Sequence, residues 1–288
     1  MKSSFFKKIL VFRSLPSSIR RKILSYYLHR ITFTKSTNSE IIWTSFYYFA
    51  VIQSVLIKEN KSDYLISFNY AGRSLNLLVR KGESSDIYVF FQVFIRDEYA
   101  PLFNQIKIQG QTPDTCLDAG ANIGYFAVAM LCWFPECRIF CVEPDPDNYT
   151  ILLKNISLNS LNQDVVPIQA ALWVKNTRLF LNKKSVQEWA YTVTEDVTSD
   201  GETEALTLGA IFHKYSARGF NAIKIDVEGA EQQLFEDSEF LQCLQIATNI
   251  GLEIHDEKAN RNSIQETLSG LGYAISNRGE LTLAVKTN

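Results

Sequence analysis

From residue 115 onward the chain alternates short apolar runs with stretches whose apolar positions recur at helical spacing. Strands are predicted near 115–119, 138–143, 165–171, 222–227 and 247–255, and helices near 122–133, 146–159, 206–217, 229–243 and 261–270. Strand and helix in alternation imply a parallel sheet covered on both faces. The end departs from this pattern. Residues 273–276 and 281–286 flank Arg278 and Gly279 as a terminal hairpin, which puts one antiparallel strand into the sheet.

The first third reads differently. Residues 4–31 mix apolar and basic positions at helical spacing, with Pro16 and Ser17 as a break. In the second helix Ile19, Ile23, Leu24, Tyr27 and Ile31 share a stripe. Residues 41–57 carry no charge, but Thr44, Ser45, Gln53 and Ser54 interrupt them, so a buried helix is expected rather than a membrane span. Residues 64–69 and 75–80 alternate about Ala71 and Gly72 as a hairpin. Ser84, Ser85 and Asp86 then offer an N-cap for a helix with Val89, Phe90, Val93 and Phe94 on one face, ending near Tyr99 and Pro101. This divides the chain into a helical extension with a short hairpin, 1–85, and a second domain, 86–288. Between the third strand and the helix at 206, a polar insertion from Lys175 to Glu204 is expected to form a hairpin of 178–181 with 190–194, then an acidic loop. Loops at the carboxyl ends of parallel strands shape substrate sites.

Composition adds three constraints. At 288 residues and 46% hydrophobic, the chain buries one large core with room for an appendage. Residues 1–39 hold nine Lys or Arg and no Asp or Glu, so a total charge of −2 leaves −11 on the rest. An acidic body disfavours nucleic acid as its partner, while the basic amphipathic segment 1–35 suits peripheral contact with an anionic membrane. Cys116, Cys132, Cys137, Cys141 and Cys243 are odd in number and without metal-ligand spacing, as expected of thiols in a reducing, cytoplasmic setting. The N-terminal apolar pieces are too brief for a secretion signal.

The chemistry centres on residues 115–126, a buried strand, a glycine loop and the first turn of a helix. Gly120 and Gly124 let a ligand approach the backbone, but Asn122 replaces the middle glycine of a dinucleotide fingerprint. Asp118 at the strand's end would repel a pyrophosphate. A ligand with ammonium and sulfonium groups and no phosphate, S-adenosylmethionine, would be attracted. Glu143 follows at the distance from which a carboxylate accepts both ribose hydroxyls.

Asp226, Glu228 and Glu231 crowd the end of the fourth strand and the start of the next helix, and Glu253 and His255 end the fifth; if the strands are neighbours, Asp226, Glu228, Glu253 and His255 converge. Lys224 is then an internal counter-charge, able to pair with Glu253 across to the next strand. His255 is expected as general base, Asp226 as the group orienting the acceptor or the cofactor's amine, and Glu228 as support for the histidine. The competing explanation of the carboxylates is Mg²⁺. Tyr99, Trp173 and Trp189 are candidates to stack on sugar or adenine, and Glu253 to meet the substrate. His29 and His213 have no such company.

Residues 117–124, 143–147, 153–155 with Asn159, 223–231 and 253–255 resemble, in order, the motifs of the FkbM-type methyltransferases. The resemblance covers roughly 86–286. It implies an α/β class I methyltransferase fold, a Rossmann-like doubly wound seven-stranded sheet with the last strand antiparallel. It also implies S-adenosylmethionine-dependent O-methylation of a sugar or glycan-type acceptor, either small or lipid-linked. By position, Asp118, Gly120, Asn122 and Gly124 would hold the methionine end of the cofactor, Glu143 the ribose, and Ala170 and Ala171 would lie near adenine. The alternatives are an NAD-dependent oxidoreductase and a non-catalytic binding subunit on the same fold.

Overall fold

The computed structural model describes residues 2–82, 84–110, 112–182, 192–196, 201–217 and 219–287. It divides into two compact units, Met1–Asp97 and Glu98–Asn288.

The first unit opens with helices α1 (Lys2–Ser14), α2 (Ser17–Thr32) and α3 (Asn38–Gln53). Pro16 separates the first two, as its missing N–H and fixed φ require. A capping box starts α3: Glu40 N–H donates to Thr37 Oγ1 at 3.2 Å and Thr37 N–H to Glu40 Oε2 at 2.8 Å. The uncharged run expected to be helical to residue 57 leaves the helix at Ser54, which adopts φ 57°. Its remainder forms β1 (Leu56–Glu59), which pairs with β2 (Asp63–Tyr70) and through it with β3 (Arg73–Arg80). Ala71 and Gly72, both at positive φ, make the expected hairpin turn. Phe46, Phe68, Phe90 and Phe94 stack edge-on or tilted into an aromatic core. Ser85 precedes α4 (Asp86–Phe90), but its side chain makes no cap. Asp86 is instead buried against the Arg80 guanidinium at 2.6 Å. The helix expected to reach Tyr99 widens into a π-helical turn, Phe91–Ile95, and stops.

The second unit begins with α5 (Ala100–Ile108), started by Pro101. Then follow β4 (Thr115–Ala119), α6 (Tyr125–Trp133), β5 (Arg138–Val142), α7 (Pro146–Leu158), β6 (Val165–Ile168), β7 (Ala171–Leu172), β8 (Thr177–Asn182), β9 (Thr192–Thr194), β10 (Glu202–Leu206), α8 (Leu208–Lys214), β11 (Ala222–Ile225), α9 (Glu231–Glu236), α10 (Ser238–Leu244), β12 (Asn249–Glu253), α11 (Arg261–Gly270), β13 (Tyr273–Arg278) and β14 (Leu281–Lys286).

The main sheet has the order β13-β14-β12-β11-β4-β5-β6, and β14 runs antiparallel to both its neighbours. The doubly wound seven-stranded architecture is therefore as expected. Strands β4, β5 and β11 are buried along almost their whole length, which is why they read as continuous apolar runs.

The hairpin expected in the insertion belongs to a four-stranded sheet, β7-β10-β8-β9, two strands larger than expected. Residues 202–206 alternate exposed and buried positions and pair with β7 and β8, so α8 starts two residues later than predicted, capped by Thr207. The helix expected over 229–243 breaks at Asp237, where extended backbone lets the side chain cap α10 at Phe240 N–H. Among the described residues no helix is long and apolar enough to cross a membrane.

Candidate active site

Beta strands β4 and β11 lie side by side and end together. Ala119 carbonyl accepts Asp226 N–H at 3.0 Å, which locks the loop after β11 onto the loop after β4. Gly120 has φ 76°, and a Cβ there would fall 1.7 Å from the Asp226 carbonyl oxygen, so no other residue fits. Asn122 is left-handed at φ 49°. Its N–H donates to Glu143 Oε2 at 2.7 Å, while its own Oδ1 is buried with no hydrogen-bond partner. Asp145 N–H donates to the other Glu143 oxygen at 2.9 Å. Two backbone donors thus fix the Glu143 carboxylate, leaving each oxygen a further lone pair. Burial outweighs both donors and pushes its pKa up to about 7.

Beyond these loops opens a cleft of about 560 Å³. Gly120, Asn122, Glu143, Asn148, Asp226 and Glu228 give it polar groups, and Val142, Ala171, Leu172 and Val193 an apolar wall. Three residues expected along the cofactor do not line it. Asp118 and Ala170 are fully buried in the core, and Gly124 forms the N-cap of α6, packed toward Leu152.

Asp118 instead faces Lys224, its register partner across β4 and β11. The ammonium lies 3.4 Å from Asp118 Oδ1, 3.3 Å from Asp226 Oδ2 and 2.6 Å from the Gly120 carbonyl. The pairing expected with Glu253 is replaced by these three. Burial opposes the Lys224 charge, but Asp226, Tyr99, Asp118 and Glu253 together hold its pKa well above the ordinary range. Asp118 shares that one ammonium with several groups, and burial leaves its own carboxyl above its ordinary range.

At the cleft's edge His255 is held from both sides. Nδ1 lies 2.9 Å from Oε1 of fully buried Glu231, and Nε2 3.1 Å from Glu228 Oε2 and 4.0 Å from Asp226 Oδ1. Burial works against a charged imidazole, yet the hydrogen bonds to Glu228 and Glu231 push its pKa up to about 11. At neutral pH the ring is an imidazolium donating through both nitrogens, so the general base expected here has no free lone pair to act with. Glu228 sits at φ 55°, a strained backbone for a non-glycine, immediately before Gly229. Its carboxyl is raised by burial. Glu253 is pushed up to about 8, first by the Asp226 charge and then by burial.

The other expected residues fall less centrally. Tyr99 is buried with its ring edge-on to Phe126 at 4.8 Å, so it packs the core instead of offering a stacking face. Trp173 is buried among Ala171, Leu179 and Ala205. Trp189 lies outside the described residues. Glu231, grouped from sequence with the other acids at the helix start, proves to hold His255 Nδ1. Asn148 was not singled out from sequence and is distinguished only by following the Asp145 cap, which accepts its N–H at 2.9 Å.

The family described as Methyltransferase FkbM domain matches residues 118–275, over half of the chain. The chain is 25% identical over 193 residues to methyltransferase sdnD of Sordaria araneosa, covering 56% of this chain and 73% of that one. It is 21% identical over 182 residues to methyltransferase 1 of Beauveria bassiana (strain ARSEF 2860), covering 56% and 72%. Among solved structures it is similar to magnesium protoporphyrin IX methyltransferase of Synechocystis with bound SAM, at 11% identity over 72% of this chain and 86% of that one, with a TM-score of 0.43.

Proposed function

The chain belongs to the FkbM methyltransferase family and is an S-adenosylmethionine-dependent methyltransferase, and from that premise we propose that it methylates a hydroxyl of a sugar or glycan-type acceptor. The dehydrogenase reading of the glycine loop gives way to that membership.

The observation that carries the proposal is Asp226 Oδ1, buried on the wall of the cleft with no hydrogen-bond partner. A hydroxyl reaching this oxygen has an acceptor for its proton. The cofactor supplies a methyl group already activated by its sulfonium, so the protein's task is to align the acceptor and take that proton. Asp226 takes it, and Glu228 and Glu253 offer further acceptor oxygens to a polyhydroxylated substrate. His255, already protonated, positions Glu228 and moderates the negative charge of the cluster.

Toward the cofactor, Gly120 provides close backbone approach and Asn122 Oδ1 an unused acceptor for the ammonium. Glu143 has lone pairs left for the ribose diol, and Val142, Ala171, Leu172 and Val193 form a wall for adenine. Asp226, Glu228 and His255 each present an atom within 4.8 Å of the others, a spacing compatible with a cation. Lys224 and His255 already supply positive charge among these carboxylates, which supports a metal-free reaction.

The test is incubation with methyl-labelled S-adenosylmethionine and matched acceptors bearing sugar hydroxyls, amines or thiols. Label in an ether on a sugar oxygen is expected. Label confined to nitrogen or sulfur would overturn the acceptor class.

A further inference from the structure

The exposed apolar side chains are concentrated in the first three helices. On α2, Leu24, Tyr27, Leu28 and Ile31 stand at i, i+3, i+4 and i+7 and are all exposed, on a face distinct from buried Ile19 and Ile23. The row continues to Phe33, which caps the helix in a left-handed conformation and is 97% exposed. On α3, Ile41, Tyr48 and Ile52 form a second exposed row at i, i+7 and i+11. The Tyr27 and Tyr48 hydroxyls are hydrogen-bonded to each other, so the two rows adjoin. On α1, Phe5, Phe6 and Leu10 are exposed. That helix meets the same surface through Lys8, 5.9 Å over the Tyr48 ring, and Lys7, which donates to the Ile52 carbonyl at 3.4 Å.

Charge says what covers this surface. Residues 1–53 contain one carboxylate, Glu40, and it is buried in the capping box of α3. Lys7, Lys8 and Arg13 on α1 and Arg20, Arg21 and Arg30 on α2 share the helices that carry the apolar rows, with no acid among them. A second copy is a poor occupant, because a twofold contact would set basic side chains against basic side chains. Among the described residues no helix is long and apolar enough to span a bilayer. We infer that this face is a peripheral docking surface for an anionic phospholipid bilayer. The apolar rows and Phe33 enter the headgroup boundary, and the Lys and Arg side chains meet the phosphates.

The test is cosedimentation of the full chain with phosphatidylcholine vesicles, with and without phosphatidylglycerol. Alongside the wild type run two variants at exposed or half-exposed positions, Leu28→Glu/Ile31→Glu and Arg20→Glu/Arg21→Glu. Thermal melts and affinity for S-adenosylhomocysteine check that both remain folded. Binding is expected only to the anionic vesicles, falling by about tenfold or more in either variant and at raised salt. Failure of the folded wild type to bind anionic vesicles, or undiminished binding by Leu28→Glu/Ile31→Glu, overturns the inference. So does a wild-type dimer that this variant dissociates, which would assign the face to self-association.

Discussion

Lys224 stands directly opposite Asp118 across β11 and β4, and its ammonium, 3.4 Å from that carboxylate, also reaches Asp226 and the Gly120 carbonyl. One buried cation thereby ties together two strands, the glycine loop and the side chain proposed to receive the substrate's proton. Asp118, which reads from sequence as a cofactor ligand, is buried against Lys224 beneath the glycine loop.

Breaking this arrangement exposes its energetics. Lys224→Met leaves fully buried Asp118 without a counter-charge, and loss of one partner of a buried pair costs about 3–5 kcal/mol. Urea denaturation should show a loss of that size. Adding Asp118→Asn to the same protein should recover part of it, because the orphaned charge is gone.

Gly120 is the position least open to change. Gly120→Ala forces a Cβ onto the Asp226 carbonyl at a φ of 76°, so β4 and β11 must separate at their ends. Binding of S-adenosylhomocysteine, measured by calorimetry, should be lost, whereas Gly279→Ala in the terminal hairpin turn, where a Cβ meets nothing, should leave it intact.

The affinity for S-adenosylhomocysteine should depend on pH through Glu143. In the free protein its folded pKa, about 7, is raised above the ordinary 4.5 of a glutamate. Its contribution to stability is therefore fully present below 4.5 and lost as pH rises through 7. Ribose hydroxyls donate to the ionised form, so binding requires the proton to leave and weakens by up to about tenfold per pH unit below 7. In Glu143→Gln that dependence should vanish from a calorimetric pH series, and the affinity itself should be lower.

His255 gives the opposite edge. Its folded pKa of about 11 exceeds the ordinary 6.5 of a histidine, so its stabilisation is complete below 6.5 and disappears as pH rises through 11. Nitrogen NMR of the imidazole should report a cation at pH 8. Glu231→Gln removes one of the two negative charges that hold the imidazolium and should bring the titration down toward neutrality.

Much of this was legible in the sequence, for identifiable reasons. The sheet announced itself because β4, β5 and β11 are buried on both faces, and the loop because Gly120 and Gly124 have no substitutes. What failed was direction and pairing. Nothing in spacing alone says that Asp118 points at Lys224 and away from the cleft, because that depends on the register of two strands about a hundred residues apart. The proton on His255 was illegible for a similar reason, since Glu231 reaches it from a helix start. The break at Asp237 and strand β10 were hidden by local composition that suits helix and loop equally well.

The most direct test of the proposed chemistry is methyl transfer by Asp226→Asn, with S-adenosylhomocysteine affinity measured on the same preparation. The predicted result is near-normal affinity with turnover on the sugar hydroxyl reduced by about 10²–10⁴-fold, the range of a lost general base. Full turnover in a folded Asp226→Asn protein would contradict the assignment of Asp226 as the group that takes the acceptor's proton.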